Sequence, residues 1–129
     1  MSALVIDTSS WITFFRDGGG DAIIEPALED GTVYLPPMVA AELLSGRMTE
    51  RARRELEGFL LTLPLCRADV AHWFRVGRLR SSLAAKGLAI STPDAHVVQC
   101  ALDLGADLLS EDAIFRLAAR HTKLSPLRL

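Results

Sequence analysis

Short apolar runs alternate with amphipathic stretches along the whole chain. Residues 3–6 and 32–35 are apolar, β-branched runs of the kind found in strands that are buried on both faces. Residues 107–109 predict a further short strand, residues 63–67 are a weaker candidate, and the tail from Thr122 has room for a last strand. Helical patterns separate these runs, so we expect a parallel sheet that is covered by helices on both faces.

The helices are bounded by N-cap residues before each apolar pattern and by Gly or Pro after it. The helices are predicted from a cap cluster at 7–10 to Gly18, over 21–30, from Met38 to near Gly46, over 49–62, from after Asp69 to Gly87, from Thr92 to Gly105, and from a Ser110 cap through Arg120. No internal repeat, low-complexity segment or linker interrupts this order, and the fold class is therefore α/β.

Length and composition agree with one globular domain. The chain has 129 residues, of which 50% are hydrophobic and 23% are charged, so we expect a single domain over residues 1–129. We see no signal-peptide pattern at the N-terminus and no apolar stretch near the roughly 18 residues of a membrane span. Cys66 and Cys100 lack C-x-x-C spacing and are expected to be buried thiols in a reducing cytoplasm.

The charge distribution is more informative than the formal net charge of −2. Residues 1–30 hold six acids and one arginine, whereas residues 67–86 hold five bases and one acid. Beyond residue 115 the chain has four Lys or Arg residues and no acid. Such basic stretches permit contact with nucleic-acid phosphates, although they are also typical of solvated helix faces.

Two acids follow predicted strands directly. Asp7 comes after the first strand, and Asp112 comes shortly after the strand at 107–109. In open parallel sheets, ligands bind beyond the carboxyl ends of the strands, where the strand order reverses. If these two strands are neighbours, both carboxylates meet in one crevice.

Two further acids are candidates for the same crevice. Asp94 follows Thr92 and Pro93 at a helix start, and like Asp7 and Asp112 it could simply stabilise a helix N-terminus. Glu42 stands in an apolar stretch with no acid or base within four residues, so its carboxylate must reach solvent, a partner or a metal.

Four converging carboxylates would repel one another, and a hard divalent cation relieves that repulsion. An all-oxygen set suits Mg²⁺ or Mn²⁺. The three histidines form no zinc-binding pattern, and core or surface packing is the expected role of His96.

Four motifs in order carry a resemblance to a known family. They are Val5-Ile6-Asp7-Thr8-Ser9, Ala41-Glu42-Leu43-Leu44, Thr92-Pro93-Asp94-Ala95 and the run from Leu108 to Phe115. The set resembles the PIN-domain family over essentially the whole chain, and its length and D-T-S opening look most like the VapC-type toxins of toxin–antitoxin pairs. Ile114 departs from the pattern, because many relatives have a second Asp at this position. The number of bound cations, one or two, therefore stays open.

The resemblance implies a three-layer α/β/α sandwich with a central parallel sheet and an endoribonuclease that depends on Mg²⁺ or Mn²⁺. It implies that Asp7, Asp94 and Asp112 bind the metal, that Glu42 is a further ligand or a water-positioning base, and that Ser110 supports them. It also implies an RNA substrate, a cognate VapB-type antitoxin and a homodimer. Thr8 or Ser9 could assist Ser110, and the arginines at 75, 78 and 80, or at 116 and 120, could grip phosphates.

Two other interpretations stay open. The first is a phosphotransfer enzyme with Asp7 as nucleophile, although Ser9 stands where that chemistry usually needs a second acid. The second is a non-catalytic module that only binds RNA or protein. In that case the aromatic side chains expected in the core could instead line a partner surface; they are Trp11, Phe14, Phe15, Trp73 and Phe74.

Overall fold

A computed structural model describes residues 2–128. Its strands are β1 (Leu4–Ile6), β2 (Val33–Tyr34), β3 (Asp107–Leu109) and β4 (Ser125–Leu127). The helices are α1 (Thr8–Arg16), α2 (Ile24–Asp30), α3 (Pro37–Leu44), α4 (Glu50–Leu60), α5 (Val70–Ala85), α6 (Thr92–Leu104) and α7 (Ala113–Ala119). The predicted alternation of strands and helices is confirmed.

The four strands form one parallel sheet in the order β2-β1-β3-β4. From β1 the chain crosses outward to β2, then returns past β1 to β3 and continues to β4. The strand order therefore reverses between β1 and β3. Because such crossovers are right-handed, α1 and α2 cover one face and the helices that follow β2 and β3 cover the other. This is the predicted α/β architecture with helices on both faces.

The core lies around β1, β3 and α6. All three residues of β1 are buried, as is every residue of α6 from Ala95 to Ala101. A helix that is enclosed on all sides must bury its polar residues too, and α6 buries His96 and Gln99 among its apolar neighbours. Helix α5 packs along α6, and α6 in turn packs against β1 and β3.

Two local predictions were wrong. Residues 63–67 form no strand; Leu65 makes only an isolated parallel bridge to Leu35. Ser110 does not cap the last helix, because Asp112 accepts the backbone N–H of Ile114 and takes that position. Helix α6 begins at Thr92, as predicted, and Ser91 is its N-cap. Within residues 2–128 no helix is both long and apolar enough to cross a membrane.

Candidate active site

The adjacent carboxyl ends of β1 and β3 bring Asp7 and Ser110 together. The backbone N–H of Asp7 donates to the carbonyl of Leu109 at 3.1 Å, which extends the ladder between the two strands. The Asp7 side chain is buried, with 6% of its surface exposed. Strands β1 and β3 are neighbours, which is the condition for Asp7 and Asp112 to share a crevice, and the strand order reverses between them.

The Asp7 carboxylate is held by three donors. The Ser9 hydroxyl donates to Oδ1 at 2.8 Å, and the backbone N–H of Ser10 donates to the same oxygen at 3.1 Å. The hydroxyl of Ser110, which is fully buried, donates to Oδ2. Oδ1 of Asp7 caps α1, and the hydrogen bonds hold both oxygens in a fixed orientation. The helix-cap role of Asp7 is therefore compatible with a candidate role in metal binding.

Ser110 links Asp7 to Asp112. Its hydroxyl oxygen accepts the backbone N–H of Asp112 at 3.0 Å while its proton is donated to Asp7. The Asp112 side chain is exposed, and its Oδ1 accepts the backbone N–H of Ile114 at 3.0 Å. Ser110 therefore fixes the spacing between the two acids, which its position in the sequence could not show.

Glu42 reaches the same region from α3. The Thr8 hydroxyl donates to Glu42 Oε1 at 2.9 Å, which joins the first turn of α1 to α3. The Glu42 side chain is exposed, so it stays solvated on an otherwise apolar helix. The expectation that this carboxylate needs solvent or a partner is confirmed, since it has both.

Asp94 lies in the first turn of α6 and is half-buried. Burial raises the pKa of the Asp94 carboxyl above its ordinary value, and a hydrogen bond with Ser91 opposes this shift. The negative charges of Asp112, Asp7 and Glu42 raise the pKa of Asp94 further. Asp94 therefore lies close enough to the other three carboxylates for their charges to act on it, and we call the four acids the acidic crevice.

The acidic crevice fits a hydrated hard cation better than a dry, fully coordinated one. Its donors are all carboxylate oxygens, and Asp94 carries a raised pKa that a positive charge would reverse. Mg²⁺ keeps several waters and needs only one or two direct carboxylates. Among residues 2–128, the group of ligand-type side chains whose ligand atoms all lie within 4.8 Å of one another is a different one, His72, His96 and Cys100.

Several side chains outside the crevice have roles that the sequence did not reveal. Arg75 donates twice to Asp103, at 3.0 and 2.9 Å, and Arg80 donates to the carbonyl of Ile90 at 2.9 Å. These two arginines therefore stabilise the fold and do not form a free phosphate-binding face.

His96 is fully buried, as its predicted core packing requires. Burial together with neighbouring His72 lowers the pKa of His96 to about 4.

The aromatic residues divide between core and surface. Trp11 and Phe14 are buried, while Phe15 is 39% and Phe74 is 66% exposed. Trp11 stacks on Phe15 with ring centres 5.5 Å apart. The prediction that these rings belong to the core holds for the inward side of α1, whereas Phe15 faces an apolar groove.

Comparison with known proteins places the chain in a family. A sequence model of the PIN domain matches residues 4–121. The chain belongs to the PIN-domain family. Ribonuclease VapC11 of Mycobacterium tuberculosis is 31% identical over 127 residues, which cover 94% of this chain and 95% of that protein.

Solved PIN-domain structures share the fold. DNA-bound VapBC from Salmonella typhimurium superposes with a TM-score of 0.81 at 18% identity, covering 98% of both chains. VapBC2 from Rickettsia felis, bound to a promoter DNA fragment, gives a TM-score of 0.79 at 20% identity and covers 97% of both chains. The resemblance drawn from the four motifs is therefore confirmed, as is the PIN-like α/β sandwich.

Proposed function

We propose that this PIN-domain protein is a metal-dependent endoribonuclease, the toxin of a VapBC-type pair, and that it acts in the cytoplasm. The observation that carries the proposal is the acidic crevice at the reversal point of the sheet, where Asp94 feels the charge of three other carboxylates. Relatives that are named ribonucleases match nearly the full length of the chain, which supports RNA as the substrate.

Asp7, Asp94 and Asp112 would hold the cation, Mg²⁺ or Mn²⁺, with Glu42 beside them. When bound, such a cation supplies a water of lowered pKa and positive charge for the phosphodiester oxygens. Asp7 is anchored by the buried hydroxyl of Ser110, so it gives the site a fixed point. Because Glu42 is exposed and oriented by Thr8, it is suited to take a proton from an attacking water.

Exposed arginines beyond the crevice would contact the RNA backbone. Arg116 and Arg120 stand one and two turns past Asp112 along α7, and both are exposed. This placement makes them better phosphate contacts than Arg75 or Arg80, which are held by partners within the protein. Arg78 on α5 is also exposed.

The hydrogen bonds of Asp7 weigh against the phosphotransfer alternative. Ser9 and Ser10 donate to one oxygen and Ser110 to the other, and these hydrogen bonds stabilise the negative charge and so make the carboxylate a weaker nucleophile. The binding-module alternative has no comparable obstacle, and only the activity measurement separates it from the nuclease.

The antitoxin would occupy the apolar groove between α1, α3 and α4. This groove has a volume of about 620 Å³, and its lining includes Ile12, Phe15, Leu56 and Phe59. Glu42 belongs to the lining of the groove, so an apolar segment lying there would reach one member of the acidic crevice. A basic residue at the end of that segment would be attracted by the carboxylates and would block the site.

Homodimerisation remains a prediction, which light scattering of the purified protein can test.

The test is cleavage of total bacterial RNA by the purified protein. We expect discrete fragments with Mg²⁺ or Mn²⁺, none with chelator, and none from an Asp94→Asn variant. Fragments should end in 5′-phosphate and 3′-hydroxyl groups. Recovery of 2′,3′-cyclic phosphate would rule out a metal-activated water, and absence of both cleavage and metal binding would favour the binding module.

A further inference from the structure

A second group of ligand-type side chains lies away from the acidic crevice, between α5 and α6. His72 on α5 faces His96 and Cys100 on α6, and neighbouring Cys66 together with burial raises the pKa of the Cys100 thiol. His72 and His96 are completely buried, and Cys66 and Cys100 are 2% and 1% exposed. We call these four residues the histidine–cysteine cluster.

We propose that the histidine–cysteine cluster is a structural site for a tetrahedral divalent cation of the zinc type. His72, His96 and Cys100 are the core ligands, and Cys66 completes the set after a rotation of its side chain. Two nitrogens and two sulfurs are a donor set that favours Zn²⁺, whereas Mg²⁺ requires oxygen. The proposal does not depend on the ribonuclease activity.

The spacing of the donors agrees with one shared ion. His72 Nε2 lies 2.7 Å from His96 Nδ1, and Cys100 Sγ lies 3.9 Å from the same nitrogen. Bonds of about 2.0 Å to nitrogen and about 2.3 Å to sulfur place tetrahedral ligands about 3.3 to 3.8 Å apart. The two imidazoles would have to separate by about 0.6 Å, which side-chain adjustments can supply.

His72 is already oriented as a metal ligand. Its Nδ1 lies 3.0 Å from Oδ2 of Asp103. An ionised carboxylate only accepts, so Nδ1 carries the proton and the Nε2 lone pair of the neutral ring points at His96. Metal-binding histidines almost always have such a carboxylate or carbonyl behind them. Asp103 is itself fixed by Arg75 and by Gln99, whose amide donates to it at 2.8 Å.

His96 is held with little freedom. Trp73 stacks on its ring with centres 4.7 Å apart and an interplanar angle of 13°. Its Nδ1 lies 2.7 Å from His72 Nε2, and the Cys100 sulfur lies 3.7 Å from its Nε2. The ring is therefore fixed with Nδ1, the proposed ligand atom, toward His72 and near Cys100.

Charge balance also favours two thiolates. When a cation binds, each thiol releases one proton to solvent, while the proton between the imidazoles moves to the outer nitrogen of His96. Two thiolates and two neutral imidazoles around a divalent ion carry no net charge, which suits a position without solvent. The ion would tie α5, α6 and the segment after α4 together.

The test uses Co²⁺ as a spectroscopic probe of the full-length, reduced protein, with excess Mg²⁺ present to occupy the acidic crevice. We expect one equivalent of Co²⁺ to give intense tetrahedral bands and a thiolate-to-cobalt charge-transfer band, which Zn²⁺ then abolishes by displacement. Carboxylates cannot produce the charge-transfer band, so the acidic crevice cannot imitate the result.

Single substitutions test the contribution of each proposed ligand to the cobalt spectrum. Cys100→Ser should weaken the charge-transfer band and lower Zn²⁺ affinity by about a hundredfold or more. Cys66→Ser should also weaken the band, and Asp112→Asn should leave the spectrum unchanged. An octahedral cobalt spectrum without the thiolate band in the folded wild-type protein would overturn the proposal. A Cys66–Cys100 disulfide that persists in reductant would overturn it as well.

Discussion

Helix α6 carries parts of two clusters that are built in opposite ways. The acidic crevice at its N-terminus is half open to solvent, uses oxygen donors and concentrates negative charge. The histidine–cysteine cluster, one turn further on, is closed to solvent and uses nitrogen and sulfur. Asp94 and His96 are only two residues apart, yet the helical turn points them toward the sheet edge and toward α5 respectively.

The comparison shows how one helix can separate hard and soft ligand sets. An exposed carboxylate can exchange water and substrate, so its repulsion is tolerable and useful. A buried thiol or imidazole must find its partner inside the protein, because burial without a hydrogen bond or metal is expensive. The first cluster is therefore suited to chemistry, and the second to holding helices together.

The largest expected effect is the loss of cleavage in Asp94→Asn. We expect activity to fall by at least about a hundredfold, because a direct ligand should matter no less than the groups behind it. The unfolding midpoint should change little, since relief of repulsion offsets the lost attraction to the helix N-terminus. A fluorogenic RNA assay and thermal unfolding measure both quantities.

Asp30→Asn, an exposed change at the end of α2, is the matched control and should cleave like wild type. If Asp94→Asn loses stability and activity in proportion, Asp94 has a structural role. The acidic crevice would then not be the reactive cluster that the comparison describes.

Asp103→Asn tests the second cluster in the comparison, the histidine–cysteine cluster. Burial by itself would raise the pKa of Asp103, but hydrogen bonds from Arg75, His72 and Gln99 hold this pKa below its ordinary value, so the group is a carboxylate. Its replacement should lower Zn²⁺ affinity about ten- to a hundredfold by releasing the orientation of His72. Competition titration with a chromogenic chelator measures the affinity.

Arg75→Gln leaves the Asp103 carboxylate in place and should cost less Zn²⁺ affinity than Asp103→Asn. Mg²⁺-dependent cleavage should be unchanged in both variants. Equal Zn²⁺ affinities for the wild type, Asp103→Asn and Arg75→Gln would mean that the Asp103 carboxylate has no part in metal binding.

Ser110→Ala tests how far the acidic crevice depends on its buried hydroxyl. Removing that hydroxyl takes the donor from Oδ2 of Asp7 and the acceptor from the Asp112 N–H, so we expect a loss of about 1–3 kcal/mol in the free energy of unfolding. Activity should fall about tenfold. Urea titration gives the stability, and Ser9→Ala should cost less because solvent reaches that exposed position. Identical losses in the two variants would contradict the role assigned to Ser110.

The smallest effect concerns an ion pair outside both clusters. Arg128 donates to both oxygens of Asp21, and this hydrogen bonding lowers the pKa of Asp21 to about 2 from 3.8 despite some burial. A lowered pKa stabilises the fold above pH 3.8, and that stability is lost as the pH falls toward 2.

Asp21→Asn should therefore cost about 1 kcal/mol at neutral pH and progressively less below pH 3.8. Urea unfolding across this pH range measures the difference, and both RNA cleavage and the cobalt spectrum should be unaffected. A pH-independent difference would contradict the role assigned to the ion pair.

Much of the architecture follows from local sequence. The β-branched run at Leu4–Ile6 and the Gly that ends α6 at residue 105 are strong local signals, so the helix and strand order was predictable. The weak run at 63–67 was not, because a single bridge from Leu65 to Leu35 depends on what packs beside it. The Ser110 cap failed because its hydroxyl instead bonds to Asp7, 103 residues away.

The sequence by itself determined the fold class and the family, and it pointed to four acids as the candidate site, because strand ends and helix starts are written in short contiguous motifs. Only the tertiary structure decided what holds those acids and which other side chains meet. Ser110 bonds to Asp7 because β1 and β3 are neighbours, and His72 faces His96 because α5 packs on α6. His96 and Cys100 share α6, but Cys66 and His72 lie far from them along the chain. The proximity of the four residues is a property of helix packing, which local sequence does not encode.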